Sequence, residues 1–461
     1  MKSESLDGMA VREGISYQKH SDTLVGFADY GSQEESNTNI PADQGVVLMI
    51  RGLTLRWKQV IGYYLTRHNI STCTLKNIIF DAVKQLTSLG LSVEALVMDQ
   101  ESLQWKFIKD VGVSIEKPYF TAVEDKKCHI IPDPPHLIKN LRNNFKTKDI
   151  FYVLHGVKGK ARWNHLEQLY KLNRSNHIHA VPHLQDDHFL LPQGKKMVIL
   201  ACQILSDSVA SALKFYVCKN LLPPEVKETA DFIEMVNSMW DFIDSHSLSA
   251  PTGKKPVSVR TYEEDMERFD FFYAFVSSFK FVRTGDGKEI KLPSHCGWLL
   301  ALKSLKALST HLLKEEKILT HLCLRKCNQD HVENLHSQIR NYKGFNDHPK
   351  AESYINALRC LACSSSTTEL LDKTISAGAN CLSDKEASPY TISPPDAVTY
   401  KSFSARQTDL EESNSEGPTL EWELGVLELE GKQLGEVEKE IVNYIAGSVV
   451  RKLNNNHLEG A

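Results

Sequence analysis

The chain of 461 residues is long enough for two or three domains, and its 41% apolar and 24% charged residues are ordinary for globular proteins. The formal net charge of −4 does not indicate a nucleic-acid-binding chain, although it allows local basic patches. Ten cysteines without a framework spacing indicate reduced thiols in a cytosolic or nuclear protein. Because the sequence shows no signal segment and its apolar runs are short, we expect neither secretion nor a membrane span.

The N-terminal third combines strand patterns with helices. Runs rich in β-branched and aromatic residues predict strands at 6–11, 24–30, 45–50 and 59–65. A change of period predicts a helix from about 71 to 86, with Ser71 as N-cap and Gly90 just past its end. The apolar run 94–98 predicts a buried strand, and a helix near 101–111 and a strand near 128–131 follow. This order predicts an α/β fold with a crossover connection.

Two acids stand at the ends of these elements. Asp99 directly follows the buried strand, where it could open a turn, cap a helix or hold a metal at the sheet edge. Asp133 precedes Pro134 and Pro135, and proline is favourable in the first turn of a helix. Asp133 is therefore predicted as the N-cap of a helix that reaches about residue 145. The residues alone leave the role of Asp99 open.

The middle and end of the chain differ in composition. Residues from about 160 to 320 carry mainly helical patterns, such as 197–213 and 228–242, and core positions are predicted for Trp163, Trp240 and Trp298. From 365 onward the composition shifts: the stretches 364–368 and 388–395 are rich in Ser, Thr and Pro and typical of linkers, and residues 408–440 contain 11 carboxylates against 2 lysines. We expect this segment to be disordered or loosely helical, with an apolar pattern returning at 444–453.

Three acids are candidates for one site: Asp7 in the first strand, Asp99 at a strand end, and Glu333 in a helical pattern. The packed side of that helix would be Val332, Leu335 and Ile339. A strand acid, a strand-end acid and a helical acid can converge across an α/β sheet, although among 58 acids some stand at strand ends by chance. Carboxylates hold paired divalent cations in sites that cleave phosphodiesters, and Mg²⁺ needs few protein ligands.

Two further patterns have both a functional and a structural interpretation. A basic stripe could contact DNA phosphates or could be a solvated helix face: Lys139, Arg142, Lys146, Lys148, Lys158, Lys160 and Arg162. Several thiols and imidazoles could suggest zinc: His321, Cys323, Cys327, His331, Cys360 and Cys363. A single CxxC is a weak zinc signal, so packed helical cysteines are the favoured interpretation.

Four stretches resemble the P-element transposase family, including its vertebrate relatives with an N-terminal zinc-coordinating DNA-binding domain. They are VMDQES at 97–102, DPPHLIKNLRNN at 133–144, DHVEN at 330–334 and YIAGSVVRKL at 444–453. The second is the most specific of these. Residues 6–12 resemble the family's first catalytic strand, and residues 237–246 resemble part of its GTP-binding insertion.

The resemblance implies an α/β fold: a ribonuclease-H-like core with a mostly α-helical insertion domain, plus a partly disordered C-terminal tail. We therefore divide the chain into four parts. They are the first part of the core at 1–150, the GTP-binding-type insertion at 151–320, the last part of the core with the third acid at 321–364, and an acidic linker and C-terminal segment at 365–461.

By resemblance, Asp7, Asp99 and Glu333 form a catalytic, metal-binding triad that uses Mg²⁺ or Mn²⁺. The implied function is that of a nuclear, homo-oligomeric DNA transposase, which cleaves transposon ends and joins the freed 3′-hydroxyl to target DNA. Asp241 and Asp244 are the implied GTP contacts. The sequence contains no GxxxxGK[ST] P-loop, and two surface acids on an amphipathic helix explain this pair equally well.

The chain departs from the family pattern in four places. The zinc-coordinating domain and the helical dimerisation region expected at the N-terminus are not seen in this sequence, and the end at 461 looks early. Asp244 stands where an Asn is expected. Residues 333–337 read Glu-Asn-Leu-His-Ser where an aromatic pair is expected, which predicts a change of packing and not of chemistry. Three hypotheses follow: an active transposase, a catalytically inactive host-adopted binding protein, and a nucleotide-binding regulatory module.

Overall fold

The structure is a computed structural model that describes residues 2–366 except 20–21, 32–38, 56, 68–69, 101, 124–125, 176–178, 191–196, 252 and 343. Its strands are β1 (Lys2–Ala10), β2 (Ser16–Gln18), β3 (Thr23–Val25), β4 (Gln44–Gly52), β5 (Lys58–Thr66), β6 (Val93–Met98), β7 (Tyr119–Val123), β8 (Lys126–Pro132), β9 (Lys148–Leu154), β10 (Val157–Ala161), β11 (Val257–Ser258), β12 (Lys280–Arg283), β13 (Glu289–Ile290) and β14 (His321–Leu322).

The helices begin after the fifth strand, and five of them follow one another after β10. The helices are α1 (Thr72–Ser88), α2 (Ser102–Asp110), α3 (Pro134–Phe145), α4 (Trp163–Ser175), α5 (Asp187–Leu190), α6 (Met197–Ile204), α7 (Asp207–Cys218), α8 (Val226–Ile243), α9 (Tyr262–Ser277), α10 (Pro293–Thr310), α11 (Asp330–Asn341) and α12 (Ala351–Ser366). A π-helical turn at His311–Glu315 extends α10, and a 3₁₀ turn lies at Leu324–Lys326.

A six-stranded sheet forms the first domain, in the order β5-β4-β1-β6-β8-β7. Its central strands β1, β6 and β8 are parallel, and the outer strands run antiparallel to their neighbours. All six side chains of β6 are buried. Leu96 and Met98 belong to the same buried cluster as the side chains of α1, whereas Ala95 and Val97 belong to the cluster that includes the side chains of α3. A continuous apolar run is expected for a parallel strand that is covered on both faces.

The second domain joins a four-stranded antiparallel sheet, in the order β10-β9-β12-β13, to helices α4 to α9. Its core is rich in aromatic rings. The Phe232 ring lies 5.7 Å from that of Phe145 at the end of α3, and the Phe275 ring lies 4.8 Å from that of Phe279. The same cluster of buried side chains continues to Val97 and Leu137 of the first domain. The two domains therefore share one hydrophobic core.

The local predictions are largely confirmed. Ser71 caps α1 by accepting from the Thr74 N–H at 3.0 Å, Gly90 adopts a left-handed φ of 75°, and Asp133 is the N-cap of α3. The strand predicted at 24–30 is shorter, since only Thr23–Val25 pairs as a strand. The 444–453 pattern and the acidic segment lie outside the described residues.

The helix predicted at 197–213 is divided, because Ser206 caps a new helix by accepting from the Val209 N–H. By length and composition, the stretch Val198–Cys218 is also the one candidate membrane span in the described part of the chain, which the sequence had not predicted. Ala201, Leu213 and Tyr216 of this stretch are buried in the insertion core.

A third cluster of side chains covers the outer part of the sheet. Val332, Leu335 and Ile339 of α11 are buried there against β4 and α12, as the helical pattern predicted. Helix α11 also contacts β1. Its amino end, which carries Glu333 in the first turn, therefore lies near the sheet edge that carries Asp7 and Asp99.

Candidate active site at the carboxyl edge of the sheet

The strand register brings the first two acids together. Leu6 of β1 pairs with Met98 of β6, and both strands run in the same direction. Asp7 and Asp99 are the next residue of each segment, so they lie beside each other where β6 ends, while β1 continues along β4 to Ala10. Parallel neighbours of this kind lie about 5 Å apart along the hydrogen-bonding direction.

Glu333, the third acid, lies close to Asp99 because both contact one histidine, His136. The sequence analysis had not identified His136 as a site residue. His136 Nδ1 lies 3.4 Å from Asp99 Oδ1, and His136 Nε2 lies 3.4 Å from Glu333 Oε1. The imidazole ring therefore lies between the two carboxylates. Its position follows from the motif, since Asp133 caps α3 and His136 is the third residue after the cap, directed to the same end of the helix.

His136 is a cation in this setting. Burial by itself lowers the pKa of His136, but the contacts with Asp133 and then the charge of Asp99 outweigh burial and raise the pKa to about 9. Nδ1 also lies 3.2 Å from Asp133 Oδ2. At neutral pH the acidic cluster therefore holds one positive charge at its centre.

Asp133 has a structural role. Its side chain is fully buried, and burial raises the pKa of this carboxyl group. Oδ2 accepts from the His136 N–H at 3.1 Å, and Oδ1 accepts from the Gln329 N–H at 2.8 Å. Since Gln329 immediately precedes α11, Asp133 fixes the start of α3 to the start of the helix that carries Glu333. The prediction of an N-cap is confirmed, and the second contact was not foreseen.

Asp7 and Glu333 differ in their electrostatic environment. Burial raises the pKa of Asp7, but the nearby His336 ring and the Gly8 N–H, which donates to Asp7 Oδ1 at 2.8 Å, leave its pKa below the ordinary value. Burial raises the pKa of Glu333, and the nearby His136 charge opposes this. Asp7 is therefore the more strongly ionised of the two.

The donor chemistry of the site suits a hard divalent cation, because carboxylate oxygens are the ligands that Mg²⁺ and Mn²⁺ prefer. Within the described residues, no three Asp, Glu, His or Cys side chains already surround one metal position. The three acids supply oxygen donors of the type that such an ion takes, and the His136 ring lies between two of them.

A cavity of about 880 Å³ opens beside Glu333 and extends to the insertion domain. Its lining includes Lys139, Trp240, Asp244, Arg325 and Glu333. The prediction of Trp240 as a core residue is therefore only partly right, while Trp163 and Trp298 are buried. One face of the cavity comes from the end of α8, and the other comes from the turn before α11.

The two predicted GTP contacts are placed differently. Asp244 lines the cavity, and its Oδ1 lies 3.4 Å from Arg325 Nε. Asp241 is outside the lining, where it contacts Lys254 Nζ at 3.2 Å and accepts from Asn237 at 3.1 Å. Burial raises the pKa of both carboxyl groups. Only Asp244 is thus in contact with a space that could hold a ligand.

The basic stripe is not one surface. Arg142 is only 3% exposed, and its guanidinium donates to the His188 backbone carbonyl. Lys146 Nζ donates to the Phe189 carbonyl at 2.6 Å, and Lys160 Nζ pairs with Asp149 at 2.8 Å. Both interpretations of the stripe, a surface that contacts DNA phosphates and a solvated helix face, are therefore wrong for Arg142. Lys139 is the member of the stripe that lines the cavity.

The acidic edge of a sheet with this strand order, beside an inserted helical domain, is the arrangement of a ribonuclease-H-like protein with an insertion domain. Two family models match in that order: the TNP-like RNase H N-terminal domain at 5–112 and the TNP-like GTP-binding insertion domain at 135–256. The strand transfer complex of the Drosophila P element transposase matches the fold, with a TM-score of 0.65, 23% identity, 80% of this chain covered and 77% of that chain.

The Transposable element P transposase of Drosophila melanogaster is 24% identical over 427 residues, which is 90% of this chain. The alignment spans 52% of that protein, so the chain covers about half the length of this relative. Together with the two domain matches, this identifies the chain as a member of the P-element transposase family.

Proposed function

We propose that the chain is the catalytic region of a DNA transposase that cleaves phosphodiesters at transposon ends and transfers the strand to target DNA in the nucleus. The observation that carries the proposal is that Asp99 and Glu333 both contact His136, while Asp7 follows the β1 residue paired with Met98 and lies within reach of the His136 charge. The family membership and the similarity to a strand transfer complex support DNA as the partner. A homo-oligomer is part of the same proposal.

In this mechanism Asp7, Asp99 and Glu333 would hold Mg²⁺ or Mn²⁺. Such ions, when bound, activate the attacking water or 3′-hydroxyl and stabilise the leaving oxygen. Asp7 offers a more strongly ionised carboxylate than Glu333, while Asp133 holds the start of α3 against the start of α11. The His136 ring, protonated in the ion-free site, would leave the space between Asp99 and Glu333.

The test is a metal titration of the purified chain by calorimetry, followed by nicking of a duplex that carries a transposon end. The matched variants are Asp99→Asn at the site and Asp110→Asn, an exposed acid at the end of α2. We expect Mn²⁺ binding and nicking that Asp99→Asn loses and Asp110→Asn keeps. Equal binding by both variants would refute the assignment of the site.

The alternative is a host-adopted protein that keeps the fold without catalysis. The position of His136 favours it, since a protonated ring already occupies the space between two of the acids. It predicts DNA binding by the wild-type chain with no Mn²⁺ binding and no nicking. The same titration therefore separates the two functions.

We also propose that the cavity beside Asp244 binds GTP. A carboxylate can accept from the N1–H and the amino group of guanine, and Lys139 and Arg325 offer cations for the phosphates. This does not require a P-loop. Calorimetry should show GTP binding in preference to ATP, with at least about a tenfold loss in Asp244→Ala. The matched variant Asp241→Ala tests whether the acid outside the cavity also contributes, and equal affinity for GTP in all three proteins would exclude Asp244.

A further inference from the structure

Helix α11 meets strand β1 through two histidines. His331 Nε2 lies 2.8 Å from Ser5 Oγ, and His336 Nδ1 lies 3.4 Å from Asp7 Oδ2. Five helical residues rise about 7.5 Å, and two strand residues advance about 6.7 Å. The two spacings agree closely, so the contacts join α11 to β1 over a full turn.

The same helix carries Glu333 three residues before His336, and residues at this spacing share a helix face. Glu333 faces His136 at one end, and His336 faces Asp7 at the other. A single helix therefore supplies the third acid and a contact to the first. Whatever moves α11 along β1 changes the position of Glu333 and the orientation of Asp7 together.

The His336 side chain is deeply buried, yet its ring is not fully hydrogen-bonded. Its side chain is 2% exposed, and Nε2 has no hydrogen-bond partner among the described residues. A buried polar nitrogen left without a hydrogen-bond partner costs about 1–3 kcal/mol. An aromatic hydrocarbon ring of similar size would fill the space without this cost. The expected change of packing at 333–337 stays a prediction, and the contact of His336 with Asp7 is an addition to it.

We propose that His336 is a positioning residue that orients the Asp7 carboxylate for metal binding, so that α11 sets the geometry of two of the three acids. The inference rests on the proposed function of the acid site. Asp7 Oδ1 is held by the Gly8 N–H, and His336 holds Oδ2. Both oxygens of the carboxylate therefore have a neighbouring nitrogen that limits its rotation. Partners of this kind orient metal-binding carboxylates, and their loss costs about 10–100-fold in metal affinity.

The variants that test this are His336→Phe, which keeps the ring shape and removes the donor, and His336→Asn, whose amide nitrogen replaces Nδ1. His331→Phe is the matched control, because it makes the same change on the same helix beside Ser5, which is not an acid. Each purified chain is titrated with Mn²⁺ by calorimetry, and its Tm is measured in chelator. The Tm is compared first, so that each affinity is read from a folded protein.

We expect His336→Phe to keep or raise the metal-free Tm while its Mn²⁺ affinity falls about tenfold or more. His336→Asn should stay within about threefold of the wild type, and His331→Phe should bind as the wild type does. Wild-type affinity in His336→Phe would overturn the inference, as would an equal loss in Phe and Asn variants that both fold. If His336→Phe does not fold, the test rests on His336→Asn. Loss of Mn²⁺ binding in a folded His336→Asn variant contradicts the proposal. A wild-type chain that binds no Mn²⁺ refutes instead the proposed function.

Discussion

Replacing His136 by glutamine removes the cation at the centre of the acidic cluster. The His136 side chain is 12% exposed, so solvent screens its interactions only weakly. Its pKa of about 9, against 6.5 for the free side chain, corresponds to about 3 kcal/mol of unfolding free energy at roughly 1.4 kcal/mol per pH unit. The chief partners of the charge are Asp133 and Asp99.

The sign of the pH dependence follows from the raised pKa. A group whose pKa is raised by folding contributes its full stability below pH 6.5, and this contribution is lost as the pH rises through about 9. The wild-type chain should therefore exceed His136→Gln by about 3 kcal/mol at pH 6. The two proteins should approach equal stability above pH 9, where the wild-type ring is neutral.

The assay is urea unfolding in chelator at several pH values between 6 and 9.5. His348→Gln is the control, because this histidine is exposed in a loop. It should follow the wild type at every pH. A constant difference between the wild type and His136→Gln from pH 6 to pH 9.5, or no difference at pH 6, would show that the ring is not a bound cation.

Two further predictions concern the packing that supports the site. In Gly45→Ala, the added Cβ would lie 2.5 Å from the Tyr354 ring, so we expect a loss of about 1–3 kcal/mol in urea unfolding. Gly285→Ala, which meets nothing within 4 Å, should change stability by less than about 0.5 kcal/mol, and equal values would contradict the argument. In Phe232→Ala, loss of a fully buried ring from the shared core should cost about 3–5 kcal/mol. A single shared unfolding transition is expected, and separate transitions for the two domains would argue against a shared core.

The sequence alone determined most local structure. The apolar run before Asp99, the serine before α1 and the Asp-Pro-Pro start of α3 each act on neighbours within one helical turn or along one strand. Such signals can be recognised in the sequence because the groups that hydrogen-bond or pack with each other are close in the chain. They failed where a second local signal intervened, as at Ser206, whose cap divides a predicted helix into α6 and α7.

The family motifs carried the prediction further, because they named the acids before their positions were known. The roles of Asp7, Asp99 and Glu333 as metal ligands stay a prediction, as do the domain boundaries at 150, 320 and 364. The structure adds that the three acids meet at one edge. That meeting depends on the strand order and on the parallel register of β1 with β6.

Only the tertiary structure decided what surrounds the acids. Arg142 points inward to a carbonyl although its neighbours suggested a basic surface, and Asp133 binds an N–H nearly two hundred residues away. His136 and His336 acquire their partners through the docking of α3 and α11 against the sheet. The reason is physical: a side chain's charge and hydrogen bonds are set by whatever lies within a few ångströms, and in a folded chain those groups come from distant segments.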